Sequence, residues 1–158
     1  MQFRKALQLG LLYEPVIADV ICADLWPGSS PIRWPARSVI DFAVVRDGEI
    51  VALLEVKRRL ITSTRYETAI FPATKTAAAV AVSEFLKVPV LAAVLYNETL
   101  MLFDLTNPIA RTTITVADRG SSAIAHYEYA IAEAARRDDL TATIAERMNN
   151  AGDNTVAA

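Results

Sequence analysis

Two strand-like apolar runs, Ser38–Val45 and Glu49–Arg59, flank the turn signal Arg46-Asp47-Gly48 and predict a β-hairpin. Both faces of the second run are apolar, with Ile50, Ala52, Leu54 and Val56 on one side and Val51 and Leu53 on the other. That pattern predicts central strands covered on both sides, as in an α/β layer fold. Upstream, Leu7, Leu11, Leu12, Val16 and Val20 recur at helical spacing over residues 3–25. Pro15 interrupts them, which predicts one kinked helix or two short helices meeting near Glu14, with a stop at Trp26-Pro27-Gly28. Residues 27–37 read as a loop with a short edge strand around Ile32–Trp34.

Downstream, Leu60–Phe71 reads as a connection, with a short helix around 65–70. Pro72 opens an Ala-rich helix to about Lys87 that is apolar nearly all round and therefore buried. Val88–Tyr96 and Thr99–Leu105 predict two more strands, and Arg111–Ala117 an edge strand. From Asp118–Ser122 a helix is expected to about Asn149, broken near Asp138-Asp139 and packed through Ala125, Tyr129, Ala132 and Ala135. The expectation is a single domain over 1–149 with a flexible tail over 150–158.

Composition narrows the class. The chain has 158 residues, 53% of them hydrophobic, enough for one well-filled core. Its longest apolar runs, Ala77–Val82 and Val88–Tyr96, fall far short of the roughly 20 residues a membrane-crossing helix needs. No signal peptide is legible, and the single cysteine, Cys22, excludes an internal disulfide and cysteine-rich zinc sites. The expectation is an intracellular, cytoplasmic protein that does not engage membranes. The net charge is −2, but residues 33–75 carry +3 and the remainder −5. The basic excess surrounds the hairpin, where local charge bears on phosphate attraction.

The hairpin also carries Asp41, Glu55 and Lys57 inside otherwise apolar runs. Buried charge is costly unless paired, protonated or metal-bound. Carboxylate oxygens suit a hard cation such as Mg²⁺, which neutralises phosphoryl charge and activates water. Asp41 and Glu55 supply two such groups, the Val56 carbonyl a third ligand, and Glu14 a further carboxylate if the first helix packs on the strand ends. Lys57 stands beside them to orient water or stabilise developing charge. Lys75 falls in the first turn of its helix, an unfavourable place for a cation unless it has a partner, and can reach a phosphate. Arg58, Arg59, Arg65 and Tyr66, with Arg33 and Arg37 on the preceding loop, are candidates for nucleic-acid contacts.

Parity sets a condition on this site. A two-residue Asp47-Gly48 loop places Asp41 opposite Leu54 and turns Glu55 to the other face. A three-residue loop makes Asp41 and Glu55 diagonal neighbours within roughly 7–8 Å. A shared site therefore demands an odd-length turn or a bulge. The structural alternative is a buried Asp41–Lys57 salt bridge, which leaves Glu55 unpaired. His126 reads as structural, and Trp26 and Trp34 as core or loop anchors, with base stacking the lesser reading.

In this arrangement residues 7–105 resemble the PD-(D/E)XK nuclease superfamily, in particular its restriction-endonuclease-like and Holliday-junction-resolvase-like members. Gly10-x-x-x-Glu14 resembles the helix motif, Ile40-Asp41 stands for the "PD" element with Ile in place of Pro, and Glu55-Val56-Lys57 matches (D/E)XK. Lys75 sits where many members place Lys or Gln. The resemblance implies an α/β restriction-endonuclease-like core with a mixed sheet of about four to five strands flanked by helices. It also implies Mg²⁺-dependent cleavage of DNA (less often RNA), with Mn²⁺ as a substitute, and a homodimer. The competing reading is a catalytically inactive, nuclease-derived binding or assembly protein, such as a phage or mobile element would encode.

Overall fold

The computed structural model describes residues 2–35, 38–116 and 122–156. A long helix, α1 (Gln2–Leu25), leads into an edge strand, β1 (Ser30–Arg33), and then into the hairpin β2 (Phe42–Arg46) and β3 (Glu49–Arg58). β4 (Thr68–Pro72) and α2 (Ala73–Leu86) carry the chain back to β5 (Val90–Leu95) and β6 (Leu100–Asp104). A second hairpin follows, β7 (Ala110–Val116) and β8 (Ser122–Ala130), then the two-residue β9 (Ala135–Arg136) and α3 (Asp138–Val156). The main sheet has six strands in the order β1-β2-β3-β5-β6-β9. Among its described strands only β3 and β5 pair in parallel, which makes it the expected mixed sheet. β4, β8 and β7 form a separate three-stranded sheet that the sequence did not disclose.

The sheet's two faces bury separate cores. Phe42, Val44, Leu54 and Val56 meet Ile17, Ile21 and Cys22 of α1 and Leu140, Ile144 and Met148 of α3. The three α3 residues recur every fourth position, the stripe a helix needs to lie on a core. The other face packs Ala43, Leu53, Val90, Ala92 and Val94 against α2 and the second sheet. Small buried residues of α2, among them Ala73, Thr76 and Ala79, let that helix approach closely. Phe71 of β4, Phe103 of β6 and Tyr129 of β8 join the two sheets edge-to-face, with centroids 5.4–6.5 Å apart.

The central hairpin meets the parity condition by its second route. Asp47 (φ 53) and Gly48 (φ 82) form a two-residue turn with both central residues left-handed, a conformation that Asp-Gly favours. Pairing starts as Arg46↔Glu49 and Val45↔Ile50, then slips to Val44↔Ala52, Ala43↔Leu53 and Phe42↔Leu54. Val51 is the surplus residue of a bulge. Val51 and Ala52 both pack toward α1, while Ile50 and Leu53 pack on the opposite face. The register beyond the bulge carries Asp41 toward Glu55 on the α2 side.

Three expectations need correction. The helix expected from residue 118 is not there over 122–130, which is β8, hydrogen-bonded to both β4 and β7. Alanines at 123, 125 and 130 favour helix in isolation, but pairing on both edges and burial of Tyr129 override that preference. Asp138-Asp139 is not a break but the start of α3, where acidic side chains suit the helix dipole. The connection at 60–71 contains a 3-10 turn at Ser63–Arg65 and then a strand, rather than a helix at 65–70. Pro15 lies inside one continuous helix. Among the described residues no helix is long and apolar enough to cross a membrane.

Candidate active site

Asp41 immediately precedes β2, and its carboxylate is fixed from β3: the Val56 amide donates to Asp41 Oδ2 at 2.9 Å. Glu55 points to the same side from β3, buried to 6% side-chain exposure. Its Oε1 accepts from Lys57 Nζ at 3.0 Å and from Lys75 Nζ at 2.9 Å. Lys75 also reaches Asp41 Oδ1 at 3.4 Å, so one ammonium from the first turn of α2 links the two carboxylates. This explains a lysine at a helix start, where the dipole disfavours it. Burial works against the Lys75 charge, but the attraction of Glu55 and Asp41 outweighs it, and the pKa is raised. The Lys57 ammonium also lies 5.8 Å from the Phe71 ring centre.

Glu55 Oε2 is buried and has no hydrogen-bond partner. A carboxylate oxygen left in that state is costly. The Asp41–Lys57 salt bridge weighed as an alternative is not the pairing found: Lys57 goes to Glu55, and Lys75 takes Asp41.

Glu14 enters from α1 and pairs with Arg33 of β1 at 3.1 Å. Its pKa is raised, chiefly by burial and further by the Asp41 and Glu55 charges; Arg33 opposes the shift. Glu14, Asp41, Glu55, Val56, Lys57 and Lys75 all line one cavity of about 580 Å³, together with Tyr13, Arg58 and Arg59. Among the described residues no three Asp, Glu, His or Cys side chains form a ready-made metal cluster. The carboxylates share a cavity wall, with lysine interposed between Asp41 and Glu55.

The structure separates the basic candidates. Arg58 stacks over Tyr13 at 5.0 Å and, with Arg59, stands on the cavity wall. Arg65 and Tyr66 pair with each other, 5.9 Å from guanidinium to ring centre, and do not line that cavity. Arg33 faces an adjoining cavity. Arg37 lies outside the described residues. His126 is on β8 beside Thr112, its ring nitrogen 3.0 Å from the Ile124 carbonyl, and it does not line the carboxylate cavity. Sequence reasoning missed the Arg33–Glu14 pair and the Tyr13 wall. Both join residues of α1 to partners far along the chain, and nothing in local spacing signals them.

Residues 28–130 match the sequence profile of a family described as "Phage putative PDDEXK endonuclease". The chain belongs to this phage PDDEXK endonuclease family. The matched span contains Asp41, Glu55, Lys57 and Lys75 of the PDDEXK chain, and excludes Glu14. The fold is similar to that of Hjc, a Holliday junction resolvase from the archaeal hyperthermophile Archaeoglobus fulgidus. The TM-score is 0.52 at 12% identity, covering 84% of this chain and 95% of Hjc. That likeness concerns the fold, a resolvase-like and restriction-endonuclease-like α/β architecture. No curated protein sequence matches the chain.

Proposed function

We propose that the protein is a divalent-metal-dependent nuclease that hydrolyses DNA phosphodiester bonds at the Asp41–Glu55–Lys57 centre. The observation that carries this is Glu55, buried with its Oε2 unpartnered, on the wall of the cavity that Asp41 also lines, where Lys57 and Lys75 supply the only balance to the two carboxylates among the described ion pairs. An all-oxygen donor set of this kind suits a hard cation such as Mg²⁺, with Mn²⁺ as substitute. Asp41, Glu55, the Val56 carbonyl and Glu14 would hold it. When bound, the ion supplies neutralisation of phosphoryl charge and acidification of a water.

The chain's own groups divide the remaining work. The Val56 N–H holds Asp41 Oδ2, which leaves Oδ1 to Lys75 in the resting site. Lys57 holds and orients the attacking water and stabilises charge building on the phosphoryl oxygens. Lys75 keeps the two carboxylates together in the resting site and donates to a phosphate oxygen when one arrives. Arg58 and Arg59 hold flanking backbone phosphates, contacts that position the strand without reading its sequence.

Cleavage of plasmid, linear and branched DNA with Mg²⁺ or Mn²⁺, by the unaltered protein and by Asp41→Ala, tests this. Cleavage abolished in the variant is the expected result; equal cleavage by both proteins, or none by either on any substrate, refutes it. The ion-paired lysines favour one second reading, a nuclease-derived protein that now only binds or assembles, since they offset the carboxylates without metal. In that case Asp41→Asn with Glu55→Gln would raise stability, and no Mg²⁺ or Mn²⁺ would bind there.

A further inference from the structure

A second cavity, of about 610 Å³, adjoins the first and shares Asp41 and Lys75 with it. A strand whose phosphate lies at the carboxylates would therefore extend into both. The two differ in character. The first is lined by Lys57, Arg58 and Arg59; the second by Trp34, Pro35, Ile40, Pro72, Ala78 and Ile124, with Arg33 and Lys75 at its polar side. Its volume lies within the range of small-ligand pockets. A wall dominated by apolar and aromatic groups beside a phosphate-binding centre suits the face of a base.

Trp34 is anchored beside that centre. Its backbone N–H donates to the Asp41 carbonyl at 2.9 Å, continuing the β1–β2 pairing, so the residue that carries the indole is tied to the one that carries the carboxylate. The side chain is half-buried, packed on the core shared by Ile40 and Leu53, and still lines the cavity. A base seated there has left its own helical stack and its pairing partner.

We propose that the Trp34 cavity receives the base next to the scissile phosphate, and that the preferred substrate is therefore unpaired DNA (single strands, flaps or gaps) rather than continuous duplex. The proposal rests on the nuclease reading for the identity of its substrate. The test compares one labelled oligonucleotide as a single strand and as a full duplex. It adds a single abasic site walked along the strand, and Trp34→Ala and Trp34→Phe variants. Binding is read separately in Ca²⁺, by anisotropy of the labelled oligonucleotide for every variant and by quenching of Trp34 fluorescence in a Trp26→Phe background, neither of which requires cleavage.

Single-strand cleavage should exceed duplex cleavage roughly tenfold or more, and an abasic site next to the cut should weaken binding by a similar factor. Trp34→Ala should weaken binding likewise, while Trp34→Phe retains most of it. Quenching by the oligonucleotide without cleavage of any DNA supports the base cavity and sinks the nuclease reading. Equal cleavage of single strand and duplex, with no position sensitive to abasic substitution, overturns the inference and leaves the nuclease reading standing. Because the abasic walk uses the unaltered indole, it decides the matter even if Trp34→Ala does not fold.

Discussion

Replacing Lys75 by Met separates the lysine's structural role from metal binding. In the resting site its ammonium lies 2.9 Å from Glu55 Oε1 and 3.4 Å from Asp41 Oδ1. Removing one partner of a fully buried pair costs about 3–5 kcal/mol. Glu55 is nearly buried, but Lys75 is 34% exposed and Lys57 remains at 3.0 Å, so solvent and the second lysine reduce the loss. We expect Lys75→Met to destabilise the metal-free protein by roughly 1–2 kcal/mol. For a chain of this size each kcal/mol corresponds to about 2–4 °C in Tm. A divalent cation then restores the missing positive charge, and ligand at 100 times its Kd adds about 2.7 kcal/mol. Thermal unfolding with and without Mn²⁺ should therefore show a lower metal-free Tm in the variant and a larger rise on adding metal than in the unaltered protein. An unchanged metal-free Tm, or a smaller metal-induced rise in the variant, would refute the reasoning.

Other consequences are open to test. Glu14 is held protonated more readily in the fold than in the unfolded chain, so its contribution to stability falls as pH rises from 4.5 through its folded pKa. Glu14→Gln should keep the Arg33 contact, remove that slope from pH-dependent denaturation, and leave the neutral-pH protein no less stable; an unaltered slope counts against the assignment. Deleting Val51 removes the surplus residue of the bulge while preserving Val45↔Ile50 and every pair beyond it, so the variant should fold with Asp41 and Glu55 still on one face and cleave DNA. Loss of cleavage by a folded deletion variant would show that the bulge does more than adjust parity. Tyr129→Phe forfeits the hydrogen bond from Tyr129 Oη to the Leu105 carbonyl at 2.9 Å but keeps the aromatic contacts. It should lose about 1 kcal/mol in denaturant unfolding, against about 3–5 kcal/mol for Tyr129→Ala.

Local pattern carried the reading of the central elements. Charges inside apolar runs marked Asp41, Glu55 and Lys57, and a cation at the wrong end of a helix marked Lys75. The parity of β2 and β3 required an odd turn or a bulge, and the structure contains the bulge. Its location was not legible, since Ile50, Val51 and Ala52 are all apolar and either face accepts them. The second sheet was hidden for another reason. β8 is rich in alanine, and only its two pairing partners, one 56 positions away at Phe71↔Tyr127 and the other across the residue 117–121 segment, make it a strand. Arg33 was noticed as a cation near the site, but its partner Glu14 lies 19 positions earlier, on an element whose docking no short window encodes. Non-local pairing, in each instance, decided what local composition left open.

The account turns on whether Asp41 and Glu55 hold one divalent ion. Anomalous diffraction from crystals of the full chain soaked in Mn²⁺ answers this most directly. The account predicts a single strong peak within about 2.5 Å of an oxygen of each carboxylate, lost in Asp41→Asn. Saturating Mn²⁺ with no peak between them, or a peak that survives Asp41→Asn unchanged, would contradict it.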